Sequence, residues 1–491
     1  MTGTGSARRA ALGGRHDWTP LDGLALALVT IIGGGIRLVR LGDPPSLMFD
    51  ETYYAKDACL YAGGSERLCG IASEQTQVHP PLGKWFIAAG VDLFGYESFG
   101  WRIAGAVAGT ATIALLYLLA RKVLRSTLGA TVASGLLAFD LLHFVQSRIA
   151  MLDVFVTLFG VAAVLLVTLD RDRLLRPRLR RRRARPWRSA AGLAAGAAAG
   201  AKWSGVFFVV AVLVLTIAWE VSARRGAGIR APLRRALREE GPSIVLSLVA
   251  LPLALYCLTF AGRLDGAVLA FPWSDGSWLH ALWERHLYMY DFHSNLEATH
   301  PYQSPAWSWL LLKRPVSYFF ETTARGDYME IVAVGSPLVW WSSIAALIYV
   351  GLEWLRSRDM AGPEGLILTS FIVNYVPWLL PLNDRSAVFL FYLLPAVPFM
   401  CLAIAYVPAR FLGRRATPAA AAAFCAAAVA LFAFYYPLVA KVPIARSDWL
   451  TRIWIFDNCA RPPPTETAGD EGVTAGDEAD DDEPPEGWCW I

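Results

Sequence analysis

The stretch SLMFDETYYAKDACLY, residues 46–61, sets two adjacent carboxylates, Asp50 and Glu51, a short way past an apolar run that ends near Val39. An ionisable pair beside a bilayer is costly unless it is hydrated, partnered or used. At the water–lipid boundary a carboxylate stays ionised and can serve as a base toward a hydroxyl arriving from the aqueous side. Further on, VHPPLGKW fixes His79 and Lys84 at a bend, because Pro80 and Pro81 forbid a regular helix there. FGWRIAG then brings Arg102 to the start of the next apolar run. One boundary thus collects two acids, a histidine and two cations. Singly, each could be a helix-end residue reaching back to water; the acid pair together with the arginine points to a site.

These residues need a membrane scaffold to hold them. The chain has 491 residues, 55% of them hydrophobic, and a mean hydropathy of +0.40. Apolar segments of helix-spanning length appear near 21–40, 101–120, 128–147, 152–169, 190–203, 204–219, 243–262, 337–355, 365–381, 386–408 and 417–439. That is about eleven transmembrane helices. Segment 190–203 is the shortest, and its Gly192, Gly196 and Gly200 form a stripe that would let it approach a neighbour closely. The stretch 82–95 is too short to span and reads as an interfacial helix. The connections at 1–20, 120–126, 170–188, 220–240, 351–366 and 409–415 hold most of the 45 Lys and Arg. By the positive-inside rule they face the cytoplasm, with the N-terminus inside and the C-terminus outside. The run RDRLLRPRLRRRRARPWR is accordingly read as a lipid-headgroup-facing loop, and no nucleic-acid partner is expected.

The expected division is a cytoplasmic N-terminus at 1–20, a membrane-embedded catalytic domain at 21–439, and an extracytoplasmic tail at 440–491. Within the domain, outer loops at 41–100 and 263–336 are long enough to be functional and carry amphipathic helices. The tail, with PPPTETAGDEGVTAGDEADDDEPPEG, is acidic and poor in large apolar residues, a composition that predicts disorder. Cys59 and Cys69 share one outer loop, and Cys459 and Cys489 share the tail. Both pairs could be disulfides or free thiols, since spacing does not decide. No Cys/His spacing specifies zinc, no spacing of acids specifies a divalent cation, and IIGGGIRLV lacks the residues of a phosphate loop. No metal or other cofactor is assigned, and whether a divalent ion assists is left open.

The motifs FDE, HPPLGK, QSRIAMLDVFVTLF at 146–159, GAKWSG at 200–205, THPYQSPAWSW at 299–309 and DRSAVFLFYLLPAVPF at 384–399 resemble, in order, the motif series of the protein O-mannosyltransferases, membrane glycosyltransferases of the GT-C type. The resemblance implies an all-α polytopic membrane enzyme of the cell membrane. It implies transfer of mannose from a polyprenyl-phosphate-mannose lipid to Ser or Thr hydroxyls of secreted or membrane proteins, with the Sec translocation machinery a candidate partner. Eukaryotic members carry a β-trefoil domain of MIR type in the large outer loop, which 263–336 cannot hold. The chain therefore resembles a bacterial member, and its Ala- and Arg-rich composition fits an actinobacterial source.

A mannosyl phosphate already carries a good leaving group, so the reaction needs a base for the attacking hydroxyl and positive charge for the departing phosphate. Such a base contributes roughly 10²–10⁴-fold, and preorganised cations contribute comparably. Attack assisted by one base inverts the anomeric carbon. By resemblance Asp50 is the base, and Glu51 holds sugar or acceptor. Arg102, Arg385 and Lys84 are the candidates for the donor phosphate. His79, His300, Tyr302, Arg148 and Asp153 are the candidates for substrate binding, although Arg148 and Asp153 could instead pair with each other for structure alone. Two rival readings are a GT-C enzyme acting on a lipid or polysaccharide, and a transporter or scaffold. Against the second, the polar residues gather in loops and not at mid-membrane.

Overall fold

The computed structural model describes residues 18–71, 78–172, 185–260, 278–296, 300, 302–380, 387–411 and 414–453. Each of the eleven expected segments is helical over most of its length. Among the described residues, eight helices are long and apolar enough to cross a membrane. Thr127–Ala138, Pro186–Ala201 and Pro363–Leu379 are shorter. The expected run 128–147 is broken at Phe139–Asp140, because Asp140 turns its side chain onto the backbone. It caps Leu141–Gln146 through His143 N (2.9 Å) and also accepts from Ser336 N (3.2 Å) and Trp340 Nε1 (3.0 Å).

Burial sorts the helices into layers. Leu390–Arg410 is 94% buried and Asp153–Arg171 72% buried over their apolar windows, so these two form the centre. Pro20–Leu38, Pro232–Leu258, Pro337–Ser357 and Thr417–Val439 turn most of their apolar surface outward, as lipid-facing helices do. The glycine stripe works as its spacing suggests. A Cβ on Gly192 would lie 1.7 Å from Ser247 O, and one on Gly196 would lie 2.7 Å from Pro252, so only hydrogen permits this contact. The facing helix, Pro232–Leu258, widens there into a π-helical turn at Leu246–Ala250, just before Pro252, whose ring removes a backbone donor.

One end of the bundle is tied by ion pairs. Asp22 caps Pro20–Leu38 together with Thr19 and accepts Arg121 Nε at 2.6 Å. Arg185 and Arg188 are buried among Asp170, Glu220 and Glu240. The opposite end carries Asp50 and most of the remaining structure. There Glu51–Tyr61, Glu66–Cys69 and Leu82–Phe94 follow the first span, and Trp278–Ser294 follows the span ending at Leu258. Cys59 and Cys69 are joined as a disulfide; Cys459 and Cys489 lie outside the described residues.

The reading by helices alone missed an antiparallel hairpin at this end, β1 (Val316–Thr322) and β2 (Tyr328–Ala333). Its aromatic and β-branched residues favour strands, and Gly326, with φ +83°, supplies the turn. After the last span, Ile444 bridges Tyr328 in the manner of a third strand, and Trp449 is buried beneath. Trp449 Nε1 donates to Glu330 Oε2 at 2.7 Å, and Ser317 Oγ donates to Glu330 Oε1 at 3.0 Å.

Burial pushes the Glu330 carboxyl up to about 7, against those two hydrogen bonds. The folded protein therefore holds a proton that an exposed carboxyl releases near 4.5. Stability from this group is complete below that value and is lost as the pH rises through 7. Glu330→Gln keeps an acceptor for Trp449 and cannot ionise. Its thermal midpoint in detergent should match the wild type near pH 5 and exceed it near pH 8; an equal offset at both would rule out the carboxyl as the cause.

Candidate active site

The chain reaches the site through a strained residue. Phe49 has φ +48°, a left-handed backbone that an aromatic residue adopts only when its surroundings enforce it. Its ring is held by four others: Tyr318 at 4.8 Å, and His300, Phe389 and Phe391 at 5.8 Å each. Asp50 follows at the head of helix Glu51–Tyr61, partly exposed, with its Oδ2 accepting from the Tyr54 hydroxyl at 3.2 Å. His79 lies against Tyr54 at 5.9 Å and beside His293 at 5.1 Å, with the rings tilted, and His293 Nε2 meets Val78 O at 2.9 Å. Tyr302 is buried against His300. His79, His300 and Tyr302 therefore gather around the residues that flank Asp50.

Glu51 lies elsewhere. It is fully buried, and each oxygen accepts two hydrogen bonds: Oε1 from Arg102 Nε (2.8 Å) and Ala150 N (2.9 Å), Oε2 from Arg102 Nη2 (2.8 Å) and Met48 N (3.1 Å). Arg102 sends its other protons to the carbonyls of Leu41 (3.4 Å), Pro44 (2.7 Å) and Ser46 (2.9 Å). A guanidinium has five N–H donors, and all five are used inside the protein. Where a donor phosphate was expected at Arg102 and a sugar or acceptor at Glu51, the structure places the two against each other, pinning the loop that delivers Asp50.

Lys84 is likewise turned inward. It is buried with its Nζ 2.8 Å from Asp57 Oδ2 and over the Tyr61 ring at 5.7 Å. Burial pulls its ammonium below the ordinary range, against the pull of Asp57. Arg148 and Asp153 do not pair. Arg148 caps the end of the first span, donating to the carbonyls of Ile36, Arg37, Val39 and Arg40. Asp153 takes Lys202 instead, at 3.1 and 2.8 Å. Arg385 lies outside the described residues.

Sequence reading passed over Lys202, although it sits inside the quoted GAKWSG. The signal was a lone cation at a helix break in apolar surroundings. Pro186–Ala201 stops there, and Lys202 adopts extended backbone before Trp203–Gly205. Its Nζ lies over the Tyr392 ring at 4.3 Å as well as against Asp153. Tyr318 was also passed over, since it lies on the unexpected hairpin. Burial, then the charges of Asp50 and Asp153, hold its phenol well above the ordinary range, so it stands as a neutral hydroxyl within the field of both carboxylates. The site therefore has a partly exposed carboxylate, a buried carboxylate–ammonium pair, an aromatic wall and a neutral donor. Among the described residues, no group of His, Cys, Asp and Glu could hold a metal ion.

The fold matches a chain of the S. cerevisiae protein O-mannosyltransferase Pmt1-Pmt2 complex bound to the sugar donor, with TM-score 0.74 and 17% identity over 91% of this chain and 94% of that one. It also matches the archaeal oligosaccharyltransferase AglB from Archaeoglobus fulgidus, with TM-score 0.51 and 14% identity over 88% of this chain and 56% of that one. In sequence the chain is 33% identical to a polyprenol-phosphate-mannose-protein mannosyltransferase of Mycolicibacterium smegmatis, over 89% of this chain and 94% of that protein. The Mycobacterium tuberculosis enzyme of the same name is 30% identical over 89% and 93%. The helical, multi-pass architecture expected from the sequence is thus the GT-C fold. The family model for dolichyl-phosphate-mannose-protein mannosyltransferase matches residues 96–264, and that for the C-terminal four-helix membrane region of protein O-mannosyltransferase matches 278–457. With the two models covering most of its length, this chain belongs to the protein O-mannosyltransferase family.

Proposed function

We propose that this enzyme transfers mannose from polyprenyl-phosphate-mannose to Ser or Thr hydroxyls of proteins that cross the membrane, with Asp50 as the base. The observation that carries this reading is the division between the two adjacent acids. Glu51 is buried with every oxygen satisfied, whereas Asp50 is partly exposed at a helix head and framed by aromatic rings. A base must reach a substrate proton, and Asp50 is the one of the two that can.

In the reaction the acceptor oxygen attacks the anomeric carbon while the carbon–oxygen bond to phosphate breaks. Asp50 takes the hydroxyl proton, and the polyprenyl phosphate leaves with the bonding electrons. The configuration inverts, because one displacement occurs and no second carboxylate acts as nucleophile. Arg385 is the first candidate cation for the departing phosphate, with Lys202, held by Asp153 beside the Tyr392 ring, as the second. His79, His300 and Tyr302 brace the walls against which sugar and acceptor lie.

The basic connections support an N-terminus in the cytoplasm and a site on the outer face. Acceptors then arrive as extended chains, with those emerging from the Sec machinery the natural source. The test is incubation of purified protein in nanodiscs with labelled polyprenyl-phosphate-mannose and a Ser/Thr-rich peptide. Label in the peptide, lost when its hydroxyl residues become Ala, is the expected result. Label in lipid or glycan instead would move the acceptor to another class, and no transfer would leave a carrier or scaffold.

A further inference from the structure

Tyr318 occupies an irregular point of the hairpin. The pairing runs Ser317 to Val332 and then Phe319 to Ile331, so β1 advances two residues while β2 advances one. Tyr318 is the extra residue of a β-bulge, a device that re-aims a side chain out of the regular alternation. Behind it, Ser317 is anchored on Glu330. In front, the Tyr318 ring packs on Phe49 at 4.8 Å and Phe391 at 6.0 Å. Its hydroxyl accepts a hydrogen bond from Gln146 Nε2 at 2.6 Å. Gln146 is fully buried, and its Oε1 has no hydrogen-bond partner among the described residues.

The phenolic oxygen already has a donor, so its own proton is available to give. Gln146 Oε1 is available to accept. A buried donor and a buried acceptor side by side suit a ligand group that both gives and takes a proton, which is a hydroxyl. They do not suit the donor's phosphate, which accepts only and leaves the Gln146 acceptor unpaired. We propose that Tyr318 and Gln146 form a specificity element that grips one hydroxyl of the sugar being transferred, and so help to select which polyprenyl-phosphate sugar is used. This rests on the mannosyl-transfer reading of the site. The β-bulge supplies the aim, and the neutral phenol supplies a donor that the neighbouring carboxylates cannot ionise.

A site built to bond a hydroxyl rejects the analogue that lacks it, because its own buried groups are then left unpaired. The experiment compares polyprenyl-phosphate-mannose with the set of its monodeoxy analogues, each lacking one sugar hydroxyl, in wild type, Tyr318→Phe and Gln146→Leu. Competition for donor binding is read beside peptide transfer. The wild type should disfavour one analogue by between about 10- and 100-fold. Tyr318→Phe should weaken the parent donor by a similar factor and erase the discrimination at that one position alone. Gln146→Leu provides the same test should Tyr318→Phe lower the thermal midpoint. A Tyr318→Phe protein that matches the wild type, or that weakens every analogue equally, overturns the proposal. Because binding reports on the sugar even if the peptide takes no label, failure of the acceptor assignment is distinguishable from failure of this one.

Discussion

Arg102→Ala should yield little folded protein, and what folds should melt far below the wild type. The substitution strands the Glu51 carboxylate, fully buried, with two of its four hydrogen bonds gone and no countercharge. Breaking one partner of a buried pair costs about 3–5 kcal/mol. The carbonyls of Leu41, Pro44 and Ser46 lose their donor in the same stroke. Arg102→Lys should rescue only in part, because an ammonium carries three donors on one atom and cannot reproduce the planar fork. Glu51→Gln should be nearly as damaging, since an amide nitrogen would then meet donors. Yield of monodisperse protein and its thermal midpoint check this. An Arg102→Ala protein with a wild-type midpoint and weakened donor binding would return Arg102 to the phosphate site.

The contrast with the sequence reading is instructive at this pair. Residue types and spacing marked the boundary, and hydropathy marked the helices, because burial of apolar stretches is written in composition. What a polar residue faces is not. Arg102 and Arg148 look like exposed cations at helix ends, yet each is turned inward onto backbone carbonyls of the segment 36–46. Lys202 hid inside a recognised motif, since its value comes from a helix break and from Asp153, forty-nine residues away. Tyr318 hid because the hairpin pairs residues through a bulge that alternation alone does not reveal. Asp140 broke an expected span for a related reason: besides capping its own short helix it accepts from Ser336 and Trp340, some two hundred residues away.

Asp50→Asn should behave in the opposite way to Arg102→Ala. Asp50 is partly exposed, and its hydrogen bond from Tyr54 can pass to an amide oxygen, so folding and membrane insertion should be unchanged. Donor binding, which rests on phosphate and sugar contacts, should change little. The amide cannot take the acceptor proton, so turnover should fall by roughly 10²–10⁴-fold. Asp50→Glu keeps the charge and moves it by one methylene, and should fall between the two, because general-base catalysis depends on reach.

The central claim is that Asp50 removes the acceptor proton. Its most direct test is the rate of a single turnover from donor-saturated protein to a Ser/Thr peptide, with wild type and Asp50→Asn in nanodiscs at equal donor occupancy. The account predicts a loss of roughly 10²–10⁴-fold in that rate with the donor still bound. Equal rates would contradict it, and would put the base on another residue.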